Sequence, residues 1–416
     1  MPNNRSLAVN RLNSLLRTFK KKPKMKEDYF QFMGNVFKRG HAVPVLQEKS
    51  SAPNSPPETN GPIECGQSNQ EQTTKIRNEG RTWYLPHFGV YHPKKPDQIR
   101  VVFDSSAEFQ GVSLNKELLP GPDLMNSLVG VLIRFRQENV ATMCDIEQMF
   151  HSFHVAPEHQ NFLRFLWYKD NDPSKEIIEN KMTVHLFGNG PSPAIATFGL
   201  RKTADDGEEK YGKATRDFIH RNFYVDDGLT SCPTESETIN LVRNAQAMLA
   251  TANLRLHKVV SNSVTVMEAL PAEDRAKSVK DLDLRRDILP TQRSLGVHWD
   301  IEKDQFTFRV SLSEKPFTRR GVLSIVNSVY DPLGLASPVI LEGKLILQQL
   351  VLMGKKSNNN GPLGWDDSLP ENMNQRWSRW RDALPNLEKV AFPRCYHPKS
   401  FGTIERREIH AFSDAS

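Results

Sequence analysis

Cysteines are scarce and scattered in this sequence. The 416 residues include four cysteines, and no two of them form a Cys-x-x-Cys pair or lie beside a histidine at the spacing of metal ligands. A structural zinc site and a disulfide framework both need grouped cysteines, so the spacing argues against both. A chain of this kind suits a reducing compartment.

Long hydrophobic runs are missing as well. No stretch is apolar over the roughly 20 residues that a membrane-spanning helix needs. The residues after Met1 also lack the apolar core of a signal peptide. We therefore expect an intracellular, cytoplasmic protein with no membrane partner.

Neither sign of charge dominates. The 55 Lys and Arg residues against 49 Asp and Glu residues give a formal net charge of +6. This balance permits a polyanionic partner but does not require one, so the kind of partner has to be inferred from local patterns.

Apolar residues recur at helical spacing near the start of the chain, which predicts an N-terminal helical segment over residues 1–46. This segment contains a basic run at 20–26, with the sequence KKKPKMK. Two interpretations stay open for the run: a solvated helix end, which we favour, and a nucleic-acid contact. Residues 47–80 are rich in Pro, Ser, Asn and Gln. Such a composition buries too little apolar surface to fold, which predicts a disordered linker or insertion.

From Trp83 onward, short β-type runs alternate with helical stretches. The alternation predicts an α+β fold with functional residues at strand ends. The strands are predicted at 99–103, 141–144, 182–186, 223–225 and 264–267, and the helices at 124–137, 193–203 and 235–252. A later helical block at 319–349 is interrupted by a predicted turn at 331–334.

Three Asp-Asp pairs occur, at 205–206, 226–227 and 366–367, and they are not equivalent. The first and third are flanked by residues typical of loops, which predicts solvated surface turns. Asp226 and Asp227 directly follow the run FYV and precede Gly228, which predicts a tight turn between two strands. Adjacent carboxylates beside aromatic and β-branched residues are costly unless a divalent cation neutralises them.

A further acid has the same setting. Asp145 ends the β-type run VATMC and opens the sequence IEQMF. Two strand-end acid sites brought together can hold two Mg²⁺ ions, with Mn²⁺ as an alternative, roughly 3.5–4 Å apart. That arrangement stabilises the attacking and leaving oxygens of an in-line phosphoryl transfer.

These motifs are similar to those of a known family. The sequence FYVDD at 223–227 resembles the Tyr-x-Asp-Asp signature of reverse transcriptases, and the acid at 145 with the aromatic at 150 resembles their first catalytic motif. The sequence RVVFD at 100–104 resembles the fingers strand, and 187–194 resembles the template-gripping motif. The segments WYLPH at 83–87 and YDPLGL at 330–335 resemble sequences of the Pao/BEL group of LTR retrotransposons.

The resemblance implies a right-hand polymerase of fingers, palm and thumb, followed by a connection region. Its domains would be fingers and palm at 81–260, thumb and primer grip at 261–318, a helical connection region at 319–403, and a truncated start of a ribonuclease H domain at 404–416. The segment at 295–299 resembles the primer-gripping strand only loosely. The partner acids of Asp414 would lie beyond residue 416, so we expect a polyprotein fragment without ribonuclease H activity.

The resemblance also implies roles for single residues. The catalytic residues would be Asp145, Asp226, Asp227 and Lys258, with Lys258 protonating the pyrophosphate leaving group. The metal ligands would be Asp145, Ile146, Asp226 and Asp227, and the substrate-binding residues Arg100, Phe150, Tyr224, Ile146 and Glu147. Among the latter, Arg100 would brace the triphosphate, which suits a guanidinium, and Phe150 would reject the 2′-hydroxyl that distinguishes RNA precursors. Many relatives carry Gln where this chain has Phe187, so Phe187 is not assigned a catalytic role.

The predicted function is therefore an RNA-directed DNA polymerase. Its partners would be a template–primer duplex of RNA and DNA, dNTPs and other polyprotein products, inside virus-like particles of the element. Two alternatives remain open. One is a catalytically inert or domesticated remnant that only binds nucleic acid. The other is a template-independent nucleotidyltransferase, against which the fingers and template-gripping motifs count.

Overall fold

The structure is a computed structural model that describes residues 1–45, 81–92, 95–276, 278, 291–294, 296–310, 312, 314–355, 363–397, 406, 408 and 410. The linker predicted at 47–80 and the acid at 414 lie outside the described residues. Within the described ranges, no helix is both long and apolar enough to cross a membrane.

Helices and strands are mixed along the chain, as an α+β fold requires. The helices are α1 Arg5–Lys21, α2 Pro23–Lys38, α3 Leu114–Glu117, α4 Leu128–Phe135, α5 Ser192–Tyr211, α6 Lys213–Asn222, α7 Glu235–Ala250, α8 Val264–Glu268, α9 Arg319–Val326, α10 Ser337–Lys355 and α11 Glu371–Ala383. The strands are β1 Ala42–Pro44, β2 His87–His92, β3 Lys95–Phe103, β4 Val140–Ile146, β5 Arg164–Tyr168, β6 Ile177–Met182, β7 Phe223–Tyr224, β8 Asp227–Cys232, β9 Leu256–Ser261, β10 Thr291–Ser294, β11 Val297–Asp300, β12 Gln305–Thr307 and β13 Ala391–Pro393. Short 3₁₀ turns include Met149–Ser152, Pro157–Leu163 and Lys169–Asn171.

The chain divides into two compact units, with residues 1–125 and 148–199 in the first and 126–147 and 200–416 in the second.

The first unit packs α1 and α2 against two small antiparallel sheets. Leu12, Leu15 and Phe19 recur at helical spacing on α1 and are all buried. The sheets have the strand orders β1-β6-β5 and β2-β3. Trp83 and Trp167 are fully buried in the same apolar cluster as the helix residues, so this core fixes the helical segment onto the strands.

One titratable side chain lies inside that core. His87 is buried, its Nε2 is 3.0 Å from the carbonyl oxygen of Leu166, and its Nδ1 is 2.5 Å from the Tyr29 hydroxyl. A carbonyl can only accept, so Nε2 carries the proton and Nδ1 accepts from Tyr29. Burial lowers the pKa of His87 to about 4. The folded protein therefore holds this imidazole neutral.

We expect His87 to make the fold sensitive to mild acid. Its pKa is lower in the folded than in the unfolded chain, so its stabilisation is full above about pH 6.5 and is lost as the pH falls toward 4, by up to about 3 kcal/mol. His87→Gln keeps an amide donor and an acceptor but does not titrate. Urea unfolding at pH 7 and pH 4.5 should show a smaller loss of unfolding free energy for the variant. Equal losses for both proteins would contradict the assignment.

The second unit contains an antiparallel sheet with the strand order β7-β8-β4-β9. Ala141 and Met143 of β4 and Leu229 of β8 are buried against Leu132 and Phe135 of α4. These side chains form part of the core of the unit. Asp145 is the last residue but one of β4, and Asp227 is the first residue of β8. The unit also contains a further sheet, β10-β11-β12-β13, and the helices α9 to α11.

A buried arginine anchors the start of β4. The guanidinium of Arg394 is fully buried and donates to the carboxylate of Asp304 at 2.7 and 2.9 Å. It also donates to the carbonyl oxygens of Phe135, Glu138 and Asn139, at 2.5, 2.9 and 2.9 Å. These carbonyls end α4 and precede β4, so the arginine fixes the strand that carries the acid at 145.

Several local predictions are wrong in their type or length. Residues 264–267 form α8 instead of a strand, because the Ser263 side chain accepts from the backbone N–H of Val266 and starts a helix. The strand predicted at 182–186 is largely absent, since β6 ends at Met182. The pair at 205–206 lies in α5 and not in a turn, where the carboxylates bond Arg216 and Lys202.

Candidate active site

The central strands of the second unit bring the three predicted acids together. β4 and β8 are antiparallel neighbours, with Asp145 directly opposite Asp227. Tyr224 pairs with Asp227 across the β7–β8 hairpin, which leaves Val225 and Asp226 as its two-residue loop. The Asp226 carbonyl accepts from the backbone N–H of Ile146 at 2.9 Å. The hairpin loop is thereby bonded to the end of β4.

The hairpin has an unusual backbone. Val225 has a φ of 59°, in the left-handed region that a β-branched side chain rarely adopts. Strain of this kind persists where the surroundings enforce it, and it concentrates at functional sites. Gly228, at the start of β8, is also constrained, because a Cβ on it would lie 2.7 Å from Phe223 and 2.8 Å from Cys144. Only glycine lets the two strands approach beneath the acids.

The charges at this site are not balanced evenly. Burial raises the pKa of Asp226, and the neighbouring charge of Asp145 raises it further. Burial also acts to raise the pKa of Asp145, but hydrogen bonds from His257 and Lys258 outweigh it and hold that pKa below its ordinary value. Asp226 is thus the acid whose charge is disfavoured, and a nearby cation would relieve it.

A β-bulge aims both basic side chains at one carboxylate. Between the pairs Met143–Val260 and Asp145–His257, β9 has one more residue than β4, and Lys258 has a φ of 51°. In a regular strand, consecutive side chains point to opposite faces. Here His257 Nε2 lies 2.9 Å from one Asp145 oxygen and Lys258 Nζ 2.9 Å from the other. The bulge is what allows two neighbours to bond the same acid.

The donor chemistry suits a divalent cation, but the side chains do not present three ligands at once. Oxygen donors are those that Mg²⁺ prefers, and Asp145, Asp226 and Asp227 supply only oxygens. In the described part of the chain, however, no group of three or more His, Cys, Asp or Glu residues stands in a metal-holding arrangement. Lys258 and His257 instead supply the positive charge and donors around Asp145.

Three other residues predicted for this site, Ile146, Glu147 and Tyr224, lie within two residues of the acids in sequence. Glu147 follows β4, its backbone N–H donates to the Arg255 carbonyl at 2.9 Å, and its carboxylate lies 3.1 Å from the Arg255 guanidinium. Ile146 is buried and Tyr224 half-buried. Sequence reasoning missed His257, although it directly precedes Lys258 in the motif LRLHK.

Arg100 and Phe150 belong to the first unit, where a third residue joins them. The Arg100 guanidinium carbon lies 5.6 Å from the Phe187 ring centroid, and the ring centroids of Phe150 and Phe187 are 5.7 Å apart. The Phe187 side chain is 63% exposed. An exposed ring between a cation and an aromatic offers a face for a base or sugar. The sequence contains one indication that Phe187 contacts a ligand, namely its position in the segment at 187–194 that resembles the template-gripping motif.

Comparison with known proteins bears on the later part of the chain. Residues 318–416 match the family model described as "Pao retrotransposon-like RNaseH-like domain". This match supports a Pao retrotransposon origin. It also suggests a nucleic-acid-processing kind of enzyme. The Pao match covers about a quarter of the chain, starts where we predicted the connection region, and includes none of the candidate active-site residues. No curated protein matches the chain.

Proposed function

We propose that this chain is the reverse transcriptase of a Pao-type retroelement, an RNA-directed DNA polymerase that extends a primer on an RNA template. The observation that carries the proposal is the meeting of Asp145, Asp226 and Asp227 at adjacent strand ends of one sheet. A two-metal nucleotidyl transfer needs such a set of carboxylates. The Pao match supports the proposal at the level of the element.

In this proposal Asp145, Asp226 and Asp227 would hold two Mg²⁺ ions, with Mn²⁺ as a substitute and the backbone carbonyl of Ile146 as a further oxygen ligand. The ions would polarise the phosphate oxygens and favour the ionised 3′-hydroxyl. The primer 3′-oxygen forms a bond to the α-phosphorus of a dNTP, the bond from that phosphorus to the β-phosphate oxygen breaks, and the hydroxyl proton goes to solvent. Lys258 would give a proton to the departing pyrophosphate, after leaving Asp145.

The remaining assignments extend the same proposal. Arg100 would brace the triphosphate and Phe150 would exclude a 2′-hydroxyl, while Phe187 would add the contact that Gln makes in many relatives. Tyr224 and Glu147 would contact substrate beside the carboxylates. Virus-like particles assembled from the polyprotein would be the place of synthesis. Basic side chains would hold the duplex through its phosphates.

Primer extension tests the proposal directly. The 416-residue chain, an RNA template with an annealed DNA primer and Mg²⁺ should add only the dNTP complementary to the next template base. Each dNTP is supplied alone, and a primer without template is the control. Addition to the free primer, or of any dNTP, would favour a template-independent nucleotidyltransferase. No addition by a folded chain that binds the duplex would favour the inert nucleic-acid-binding remnant.

A further inference from the structure

A pocket of about 550 Å³ lies in the first unit, beside the basic run at 20–26. Its walls come from α1, α2 and the end of β5. The cationic and aromatic residues that line it are Arg17, Lys20, Lys26, Phe19, Phe30 and Tyr168. Its volume falls in the range of pockets that hold small ligands or parts of larger ones.

In the part of the chain that the structure describes, the cations of this pocket have no acidic partners. Arg17, Lys20 and Lys26 are exposed, and none of the described residues that line the pocket is acidic. Within the described residues, none of the three forms an ion pair, whereas Lys24 in the same run pairs with Asp97 at 2.7 Å. Three uncompensated charges around one concave surface create a positive potential that attracts an anion.

Helix stability explains only part of this charge. Lys20 lies in the last turn of α1, where the helix dipole favours a cation. Lys26 lies near the start of α2, where the dipole favours an anion, and the first turn of α2 contains no acid. Neither helix therefore accounts for Lys26, and an external anion would be stabilised by the dipole and the lysine together.

Aromatic faces stand beside the cations. The rings of Phe30 and Tyr168 are stacked, with centroids 5.8 Å apart and planes at 29°. Both side chains are half-buried, and the buried Phe19 ring lies 6.3 Å from Phe30. Lys26 Nζ lies 5.9 Å from the Phe30 centroid. Cations interleaved with aromatic faces are the arrangement that binds single-stranded nucleic acid through phosphates and base stacking.

We propose that this pocket binds one nucleotide of a single-stranded nucleic acid. The base packs against Phe30 and Tyr168, and the flanking phosphates lie near Arg17, Lys20 and Lys26. A duplex fits less well, because its bases are already stacked on each other. This inference deepens the proposed function and rests on it for the nature of the strand, an unpaired stretch of template. Under this proposal the basic run at 20–26 would contact nucleic acid, the interpretation that the sequence alone did not favour.

Binding of a fluorescent RNA of about 15 nucleotides, measured by anisotropy over a series of salt concentrations, tests the pocket. The triple variant Arg17→Gln, Lys20→Gln, Lys26→Gln should bind at least about tenfold more weakly. Its slope of log affinity against log salt should be smaller by about 2, since each phosphate contact to a single strand contributes about 0.7. Phe30→Leu, which keeps an apolar side chain without a ring, should weaken binding about tenfold at every salt concentration.

A triple variant with the same loss of charge provides the control. Lys21, Lys24 and Lys175 are exposed and do not line the pocket, so their replacement by Gln should change affinity less than threefold. Equal weakening by both triple variants would overturn the proposal in favour of general electrostatics. RNA carrying 4-thiouridine should crosslink to peptides that contain Phe30 or Tyr168. Crosslinks found only elsewhere would overturn it as well.

Two further comparisons distinguish RNA binding in this pocket from catalysis at the three acids and from lipid binding. The Asp226→Asn protein should bind the RNA as the unchanged chain does, because Asp226 does not line the pocket. If the unchanged chain binds RNA through the pocket but does not extend a primer, the polymerase is contradicted and the pocket proposal stands. Vesicles that contain phosphatidylserine should not compete with the RNA. If the vesicles compete with RNA for the unchanged chain but not for the pocket triple variant, and if that variant binds RNA as tightly as the unchanged chain does, the pocket binds anionic lipid and the proposal is overturned.

Discussion

Replacing Asp226 by Asn is expected to abolish primer extension and, at the same time, to stabilise the metal-free protein. The carboxylate would lose its metal-binding charge, which supplies several kcal/mol of transition-state stabilisation. A loss of about 4 kcal/mol lowers the rate about a thousandfold. The measurement is the initial rate of single-nucleotide addition at saturating dNTP.

The gain in stability has a separate cause. Burial and the charge of Asp145 both raise the pKa of Asp226, so the ionised side chain destabilises the folded state at neutral pH. Asn has the same shape and no charge. We expect a gain of about 1 kcal/mol, which raises the melting temperature by about 2–4 °C. Melting is followed by circular dichroism in EDTA.

A matched substitution at another Asp-Asp pair tests whether these effects are specific to Asp226. Asp206 also belongs to an Asp-Asp pair, but it is exposed and forms an ion pair with Lys202 one turn away on α5. Asp206→Asn should leave both extension and melting temperature nearly unchanged. If Asp226→Asn lowered the melting temperature and kept extension, Asp226 would be a structural residue and the proposed site would be wrong.

The closeness of Asp145, Asp226 and Asp227 was predictable, because both acid sites come directly after predicted strands. Asp145 and Asp226 each follow a short apolar β-type run, and strands of one sheet align their ends. The order of the strands was not predictable. β4 pairs with β8 and β9 across roughly a hundred residues of chain, and such pairings leave no periodic signal in one sequence.

The basic residues around Asp145 show what the sequence could not provide. Lys258 came from resemblance to a family, and His257 was missed. Both bond Asp145 only because β9 contains a bulge at Lys258. Bulges are marked in sequence by glycine at best, and a lysine with positive φ gives no such mark. The helix α8 was missed for a related reason, since the capping effect of Ser263 outweighed the β-propensity of the valines after it.

Replacing Lys258 by Met should separate metal binding from turnover. In the metal-free protein the Lys258 ammonium donates to the Asp145 carboxylate at 2.9 Å, and the Lys258 side chain is 51% exposed. A bound cation would have to displace it. Ion pairs this exposed contribute at most about 1 kcal/mol, so the variant should bind Mn²⁺ about three- to fivefold more tightly. Titration calorimetry without nucleic acid or dNTP measures this affinity.

Turnover should change in the opposite direction. If Lys258 protonates pyrophosphate, its loss should lower the rate of nucleotide addition about a hundredfold at saturating metal, within the usual range for a general acid. Lys303→Met removes an exposed lysine elsewhere in the second unit and should change neither quantity. Tighter Mn²⁺ binding with an unchanged rate would make Lys258 only a competitor for Asp145. Weaker Mn²⁺ binding would mean that the lysine orients Asp145 for the metal, and the bulge would then serve to position a ligand instead of neutralising it.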